Sequence, residues 1–382
     1  MAELYSLPNG WEWNKLGDIT TIVGGGTPRT NIKEYWENGN IIWLSPTDLG
    51  NIGEIISINN SKTKITKLGL EKSSAKLLPI GTVLFSSRAT IGKIAINEIE
   101  VSTNQGFTNF ICKNLLLNKY LAFCLNRFTS DITDLSNSTT FKEVSKSSLK
   151  DFKIPLPPLE EQKRIVANLD NLFAKIDKAI ALHQKNIDEA DIFMASVLND
   201  VFVELEEKYG VKEINSLFKI KSGNFLPAKN MVEDGEINVY GGNGINGKHN
   251  EFNLSGENII IGRVGALCGN VRCVNDNIWL TDNAFYISEY FEEIDKNFLA
   301  QMLIHIDLGS SANKSAQPVI SYKSICEMTL PLPPLKTQQK VVSYLDEISN
   351  KMEKIKNLQK KKMQSLKALK ASILDQAFKG EL

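Results

Sequence analysis

The sequence predicts an α+β protein with a pseudo-twofold internal duplication: two globular blocks separated by two long, antiparallel coiled-coil helices. Three observations predict it. The run PLPPLEEQKRIVANLD, beginning at Pro155, recurs as PLPPLKTQQKVVSYLD at Pro331, an offset of 176 residues with no gap. Each copy leads into an apolar pattern of helical period. The stretch before each copy alternates short β-rich runs with turn residues. A period this long exceeds any solenoid unit, so it marks a duplicated domain plus helix.

The pattern divides the chain into 1–154, 155–205, 206–330 and 331–382. In the first block, Ile41-Ile42-Trp43-Leu44, Thr82-Val83-Leu84-Phe85 and Ile94-Ala95-Ile96 read as strands. A helix is predicted over about 117–129. The prolines of 155–159 cannot lie inside a helix or a central strand, so this run is expected to be a stiff extended hinge. From Glu160 the apolar residues Ile165, Leu169, Leu172, Ile176 and Ala179, then Ala190, Phe193, Val197 and Val201, step by four and three. That is a coiled-coil seam. His183 and Asn186 interrupt it, with Leu182 and Ile187 one step outside, which reads as a stutter. The second copy carries Val341, Leu345, Ile348, Met352, Ile355, Leu366, Leu369 and Ile373, with Gln359 and Lys362 at the same flaw. Matching seams with matching flaws predict that the two helices pair.

The second block shows strand signals over 239–245, 258–263 and 278–281. It aligns with the first only in patches. Arg88 and Gly92 are similar to Arg263 and Gly269, and residues 102–107 are similar to 280–285.

Composition narrows the function. Hydrophobic content of 42% and charge of 23% are those of an ordinary soluble globular chain. No apolar run approaches a membrane span, and the N-terminus lacks the basic and apolar regions of a signal peptide. Five cysteines without CxxC spacing predict neither a disulfide framework nor a zinc site, but a reducing cytoplasm. There are three histidines and no GxSxG, HExxH or P-loop. The glycine runs 24–26 and 241–244 read as turns. No amino-methyltransferase Asn-Pro-Pro-aromatic motif is present. The expectation is a chain with no catalytic, cofactor or metal residues of its own.

DNA binding has positive signals despite a net charge of zero. Segment 61–76, with Lys62 and Lys64, carries five lysines against one glutamate, a composition suited to phosphates. Side chains able to read bases cluster near turns. In the first block these are Thr27, Arg29, Ser45, Thr47, Ser86, Ser87, Arg88, Asn104 and Gln105. In the second they are Asn243, Asn246, Lys248, Arg263, Asn283, Lys314 and Gln317. Each of these types also serves as a turn former or a solvated side chain. Arg88 and Arg263 stand out because each follows a β run and opens a Gly-containing turn. The run 354–370 has seven lysines and no acid, which suits phosphates, a partner subunit or a plain polar helix face.

These residues together resemble the specificity (S) subunits of type I restriction-modification systems. The resemblance rests on Trp13 with Lys15-Leu16-Gly17-Asp18-Ile19, on 24–28, on Ile42-Trp43-Leu44-Ser45-Pro46-Thr47-Asp48-Leu49 and on Ser87-Arg88-Ala89-Thr90-Ile91-Gly92. In the second half it rests on 239–245, Gly262-Arg263-Val264-Gly265 and the duplicated PLPPLxxQxxI/V segment. The second block departs from the pattern at Lys212-Glu213-Ile214-Asn215-Ser216-Leu217, which lacks the Gly-Asp of the first. The resemblance implies two target-recognition domains, each reading half of a bipartite, asymmetric site in double-stranded DNA. It implies helices that set the spacing and bind two modification (M) subunits, which methylate adenine with S-adenosylmethionine. Two restriction (R) subunits, driven by ATP with Mg, would join them. The alternative is a two-headed coiled-coil protein scaffold without DNA binding, favoured by the neutral charge.

Overall fold

Each PLPPL segment begins at the end of a paired strand and is not a free hinge. In the computed structural model, which describes residues 5–136, 142–313 and 317–382, Lys153–Leu156 pairs antiparallel with Glu12–Lys15. The second copy, Thr329–Pro331, pairs in the same way with Val211–Glu213. A two-stranded ribbon has only edges, so proline is tolerated there. The extended conformation was expected; the pairing corrects the hinge.

Each ribbon delivers the chain into a long helix. The central helix is Leu159–Tyr209 and the distal helix Leu335–Lys379. Both begin after the prolines, and the central one runs past residue 205. At 51 residues it is about 76 Å long at 1.5 Å per residue. Among the described residues no helix is long and apolar enough to cross a membrane.

A buried glutamine locks each helix start. Gln162 accepts from Leu117 N (2.9 Å) and donates to the carbonyls of Leu115 and Pro157 (2.9 Å each). Gln338, 176 residues on, accepts from Asp295 N (2.8 Å) and donates to Glu293 O (3.3 Å) and Pro333 O (2.9 Å). Both amides meet the segment that opens a globular-domain helix, Asn118–Arg127 or Lys296–His305. Three bonds per amide satisfy groups that burial removes from water.

The chain forms two compact units, 1–183 with 361–382, and 184–360. Each holds one globular block with a segment of both long helices. In the first unit a five-stranded sheet runs Thr20–Gly24, Phe107–Cys112, Val83–Ser86, Ile94–Asn97, Ile55–Ile58. Beside it lies a three-stranded sheet, Lys64–Ile65, Ile41–Leu44, Val101–Thr103. The second unit repeats the plan with Phe218–Ser222, Ala284–Tyr290, Asn258–Gly262, Val271–Val274 and with Gly244–His249, Ile237–Gly241, Ile278–Leu280. In both, the last pair of the smaller sheet is parallel.

The core of the first unit joins Phe85, Phe110, Tyr120, Phe128 and Phe152 to Ile165, Leu169 and Phe173 of the central helix and to Leu374, Ala377 and Phe378 of the distal helix. Arg127 reaches Asp375 of the distal helix (Nη2 to Oδ1, 2.6 Å), and Lys379 bonds the other oxygen (2.6 Å). Partial burial pulls the Asp375 carboxyl upward, but these two cations outweigh it and hold it below the usual range. In the second unit Phe202 and Leu205 pack with Ile214, Phe218, Phe298 and Met302. The His305 ring lies 4.3 Å from that of Phe202. Burial lowers its pKa, with Glu206 opposing. Cys124 is fully buried with its thiol pushed up by burial, so it packs and does not react.

The helix seam differs from expectation in phase. One register of buried or half-buried positions runs Leu169, Phe173, Ile176, Ile180, His183, Ile187, Ala190, Met194, Val197, Val201, with Leu172, Ala179 and Asn186 half-buried beside it. Its steps of four and three pass His183 without a break. Phe193, expected on the seam, is 48% exposed, and on the distal helix Ile355 and Leu369 are 40% and 48% exposed. The distal seam instead uses Lys356 and Lys370. Each lays its stem at a seam position and pairs its ammonium with an acid of the central helix: Lys356 with Asp191 (2.9 Å) and Lys370 with Asp177 (2.7 Å). Lys370 also sits 4.7 Å from the Phe173 ring. Within each unit, therefore, the two helix segments run antiparallel.

Candidate nucleic-acid interface

In each unit the loops after several strands meet at one end of the sheets, held by backbone hydrogen bonds. In the first, Gly26 N donates to Thr103 O (2.8 Å), Asn104 N to Leu44 O (2.9 Å) and Ser87 N to Gly106 O (2.9 Å). Gly25 lies so close that a Cβ would sit 1.8 Å from Asn104 O, so only glycine fits. These bonds gather Thr27, Ser45, Thr47, Ser87, Arg88, Asn104 and Gln105. The Thr27 hydroxyl donates to Gln105 Oε1.

The side chains divide into frame and surface. Ser45 forms a capping box with Asp48, its hydroxyl 2.8 Å from Oδ2. Asn104 Oδ1 accepts from Gly106 N (2.8 Å), an Asx turn. Ser87 is 4% exposed and accepts from the Thr108 hydroxyl. Ser86 is fully buried and its hydroxyl accepts from Lys93 N (2.9 Å). All four side chains bond within the loops and hold their shape. Arg29, Thr47, Arg88 and Gln105 are exposed. Arg88 has one loose carboxylate partner, Glu143, at 3.5 Å. Lys62 and Lys64 are exposed, as are Lys67, Lys72 and Lys76 of the same segment. Ser61 ties this segment to the Ser45 turn through Asp48 (3.2 Å).

The second unit repeats the frame. Asn224 N donates to Leu280 O (2.9 Å), Thr281 N to Tyr240 O (2.9 Å) and Arg263 N to Asn283 O (2.9 Å). Asn243, Arg263, Asn283 and Gln317 meet around it. Asn243, Asn283 and Gln317 are exposed. Asn246 and Lys248 are also exposed; Lys248 pairs with Asn238, toward the far end of the hairpin from the Gly241–Gly244 turn. Lys314 lies outside the described residues.

The bonds shift the correspondence drawn from sequence by one residue. Ser86 pairs with Phe107 as Gly262 pairs with Ala284. Arg263 therefore matches Ser87, while Arg88 matches Val264, and both Ala89 and Gly265 have positive φ (62° and 103°). Gly92 still matches Gly269, because Gly92 N bonds Ser86 O as Gly269 N bonds Gly262 O. An insertion in the turn hid the slip. In consequence Arg263 is half-buried, bonds Asp282 O (3.3 Å) and stacks 5.4 Å from the Phe285 ring. Its Nε is buried without a partner among the described residues.

Sequence reasoning missed two basic residues. Lys93 Nζ braces the 45–49 turn through Pro46 O (3.0 Å). Arg272, on a strand, reaches Asn243 O (3.3 Å). Arg272 lies inside a strand, and Lys93 directly follows the 91–92 turn, where Ser86 N donates to its carbonyl. The repeated QxxI/V signature did mark Gln162 and Gln338, though not their clamp role.

A duplicated frame of loops displaying unlike polar and basic side chains, carried on a helix pair, defines a two-domain nucleic-acid recognition protein. A family model, the type I restriction modification DNA specificity domain, matches residues 8–189 and 206–363. The chain belongs to that family and is a type I restriction-modification specificity subunit with two target-recognition domains. It is 28% identical over 428 residues to the type I restriction enzyme MjaIX specificity subunit of Methanocaldococcus jannaschii, covering 100% of this chain and 95% of that one. It is 28% identical to the EcoprrI specificity subunit of Escherichia coli over 88% of this chain and 86% of that one. A solved structure described as the structural basis of complex assembly and conformational transition of the type I R-M system superimposes with a TM-score of 0.79. It covers 99% of this chain and 100% of that one at 21% identity. The crystal structure of the HsdS subunit from Thermoanaerobacter tengcongensis gives 0.57 over the whole of both chains, also at 21% identity. These two likenesses bear on the fold alone.

Proposed function

We propose that each target-recognition domain, taken as 1–154 and 206–330, reads one half of a bipartite, asymmetric DNA site, and that the chain supplies specificity without catalysis. Two modification subunits, using S-adenosylmethionine, would methylate adenine, and two restriction subunits, using ATP and Mg, would cut. The observation that supports this best is one hydrogen-bonded loop frame occurring twice with different side chains on it: exposed Arg88 and Gln105 in one, half-buried Val264 and Asp282 at the matching places in the other. A shared frame with unlike side chains suits two independent readings. Base-edge contacts would come from Thr47, Arg88 and Gln105 in the first domain and Asn243 and Asn283 in the second. Phosphate contacts would come from the exposed lysines of 61–76. The test is to assemble the chain with its modification subunits and map methylated adenines across a genome. A split motif is expected, with affinity falling steeply as salt rises. A continuous motif, or binding indifferent to salt, rejects the reading.

A further inference from the structure

Phe225 is 72% exposed, more than any other large apolar side chain among the described residues. Its loop is nevertheless held on both sides. Gly223 N donates to Ala284 O (3.1 Å) and Asn224 N to Leu280 O (2.9 Å), while Trp279 Nε1 donates to Asn224 O (3.2 Å). A Cβ on Gly223 would lie 2.2 Å from Leu280 O. On the other side Leu226 is buried and Pro227 has φ of −63°. A phenyl ring fixed in water by a firm loop is unfavourable unless something covers it.

The position says what does. Asn224 makes the bond that Gly26 makes in the first domain, so Phe225 stands where Thr27 stands, and Asp282 stands where Gln105 stands. The loop therefore belongs to the surface proposed to face DNA. Exposed Lys221 and Lys229 flank it, and exposed Leu267 lies on the adjoining turn that opens at Arg263. An aromatic ring between cations suits a polyanion with apolar base faces.

We propose that Phe225 is a base-contacting residue of the second target-recognition domain. Its ring covers apolar base surface in the half-site that this domain reads, either a thymine methyl or the face of an opened base step. The assignment rests on the DNA reading above. It makes one half-site partly apolar in its recognition, whereas the first domain presents the Thr27–Gln105 pair at the same place.

The experiment uses the full chain assembled with its modification subunits and a duplex carrying the site mapped for the wild type. Phe225→Ala is expected to weaken binding about tenfold, the scale of one lost base–aromatic contact. It should relax methylation in one half of the motif only. The salt slope should not change, because no charge is lost. Phe225→Tyr should bind nearly as the wild type, and the alanine variant should melt near the wild-type temperature because the ring is 72% exposed. With wild-type protein, thymine-to-deoxyuridine substitution in that half weakens binding if a methyl is the contact; if it has no effect, the ring meets a base face. Equal affinity and an unchanged motif for Phe225→Ala overturn the assignment. So does impaired assembly with the modification subunits at unchanged DNA affinity, which gives the ring to a protein partner. A wild-type complex that binds no sequence specifically overturns the DNA reading and this residue's role together.

Discussion

At the scale of single residues, Gln162 and Gln338 do more than their polarity suggests. Each is almost fully buried and satisfies three backbone groups. Removing the amide leaves those groups without water or partner, at roughly 1–3 kcal/mol per group before relaxation. Gln162→Ala is expected to destabilise the first unit by about 2–4 kcal/mol in urea titration on this account. Gln338→Ala should do the same to the second. A loss under about 0.5 kcal/mol, the level of a surface substitution, would show that water replaces the amide. Asp375 yields a pH prediction. Its carboxyl is held below the ordinary aspartate value, so its contribution is complete above that value and is lost as pH falls through the folded one. Asp375→Asn should cost about 1 kcal/mol at neutral pH, charged hydrogen bonds being discounted for partial exposure. The difference from wild type should vanish at acid pH, once the carboxylate is protonated in the folded state. An equal difference at both pH values would assign the cost to packing.

At the scale of elements, the seam passes both His183 and Gln359 in alternating steps of four and three, and on the distal helix the two successive steps of four fall earlier, at Ile348, Met352 and Lys356. Seven inserted residues turn the following seam by only about 20°, and four turn it by about 40° in the opposite sense. Matched seven-residue insertions after His183 and Gln359 should therefore fold with little loss of melting temperature. They should change the gap between the two halves of the methylated motif while leaving each half's sequence intact. Insertion into one helix alone should lower the melting temperature sharply, because the seam partners no longer align. Altered half-site sequences from the matched insertion would refute the division between ruler and reader. The seam was misread because Leu172 and Phe173, like Ala179 and Ile180, are adjacent apolar residues about 100° apart on the helix. Either phase fits the pattern. Only packing against Lys370 and its neighbours selects one, and a lysine stem at a seam position is invisible to a search for apolar residues.

At the scale of the whole molecule, one loop frame serves two domains, and the two arginines on it are not counterparts. Arg88 faces solvent with one loose carboxylate, whereas Arg263 is half-buried against Phe285. Arg88→Ala should leave the melting temperature unchanged and weaken or relax reading of one half-site by about 1–3 kcal/mol, the scale of a base contact. Arg263→Ala should lower the melting temperature as well, because it removes a brace between two loops. Methylation mapping beside thermal unfolding separates the two. If both variants kept wild-type stability and motif, the loop cluster would not be the reading surface.

The chain alone determined the duplication, the α+β class, the two helices, most strands and the family, because those follow from local periodicity and from a repeat 176 residues apart. Tertiary structure decided the rest. It joined the proline runs to paired strands, chose the seam's phase and assigned Gln162 and Gln338 to clamps. It withdrew Ser45, Ser86, Ser87 and Asn104 into the frame and left Phe225 outside it. The physical reason is common to all of these. A residue's type sets what it can bond, but whether a hydroxyl, amide or ring meets backbone or solvent depends on strands and turns distant in sequence. Ser87 and Arg263 occupy one place in one fold, and nothing local to either sequence says so.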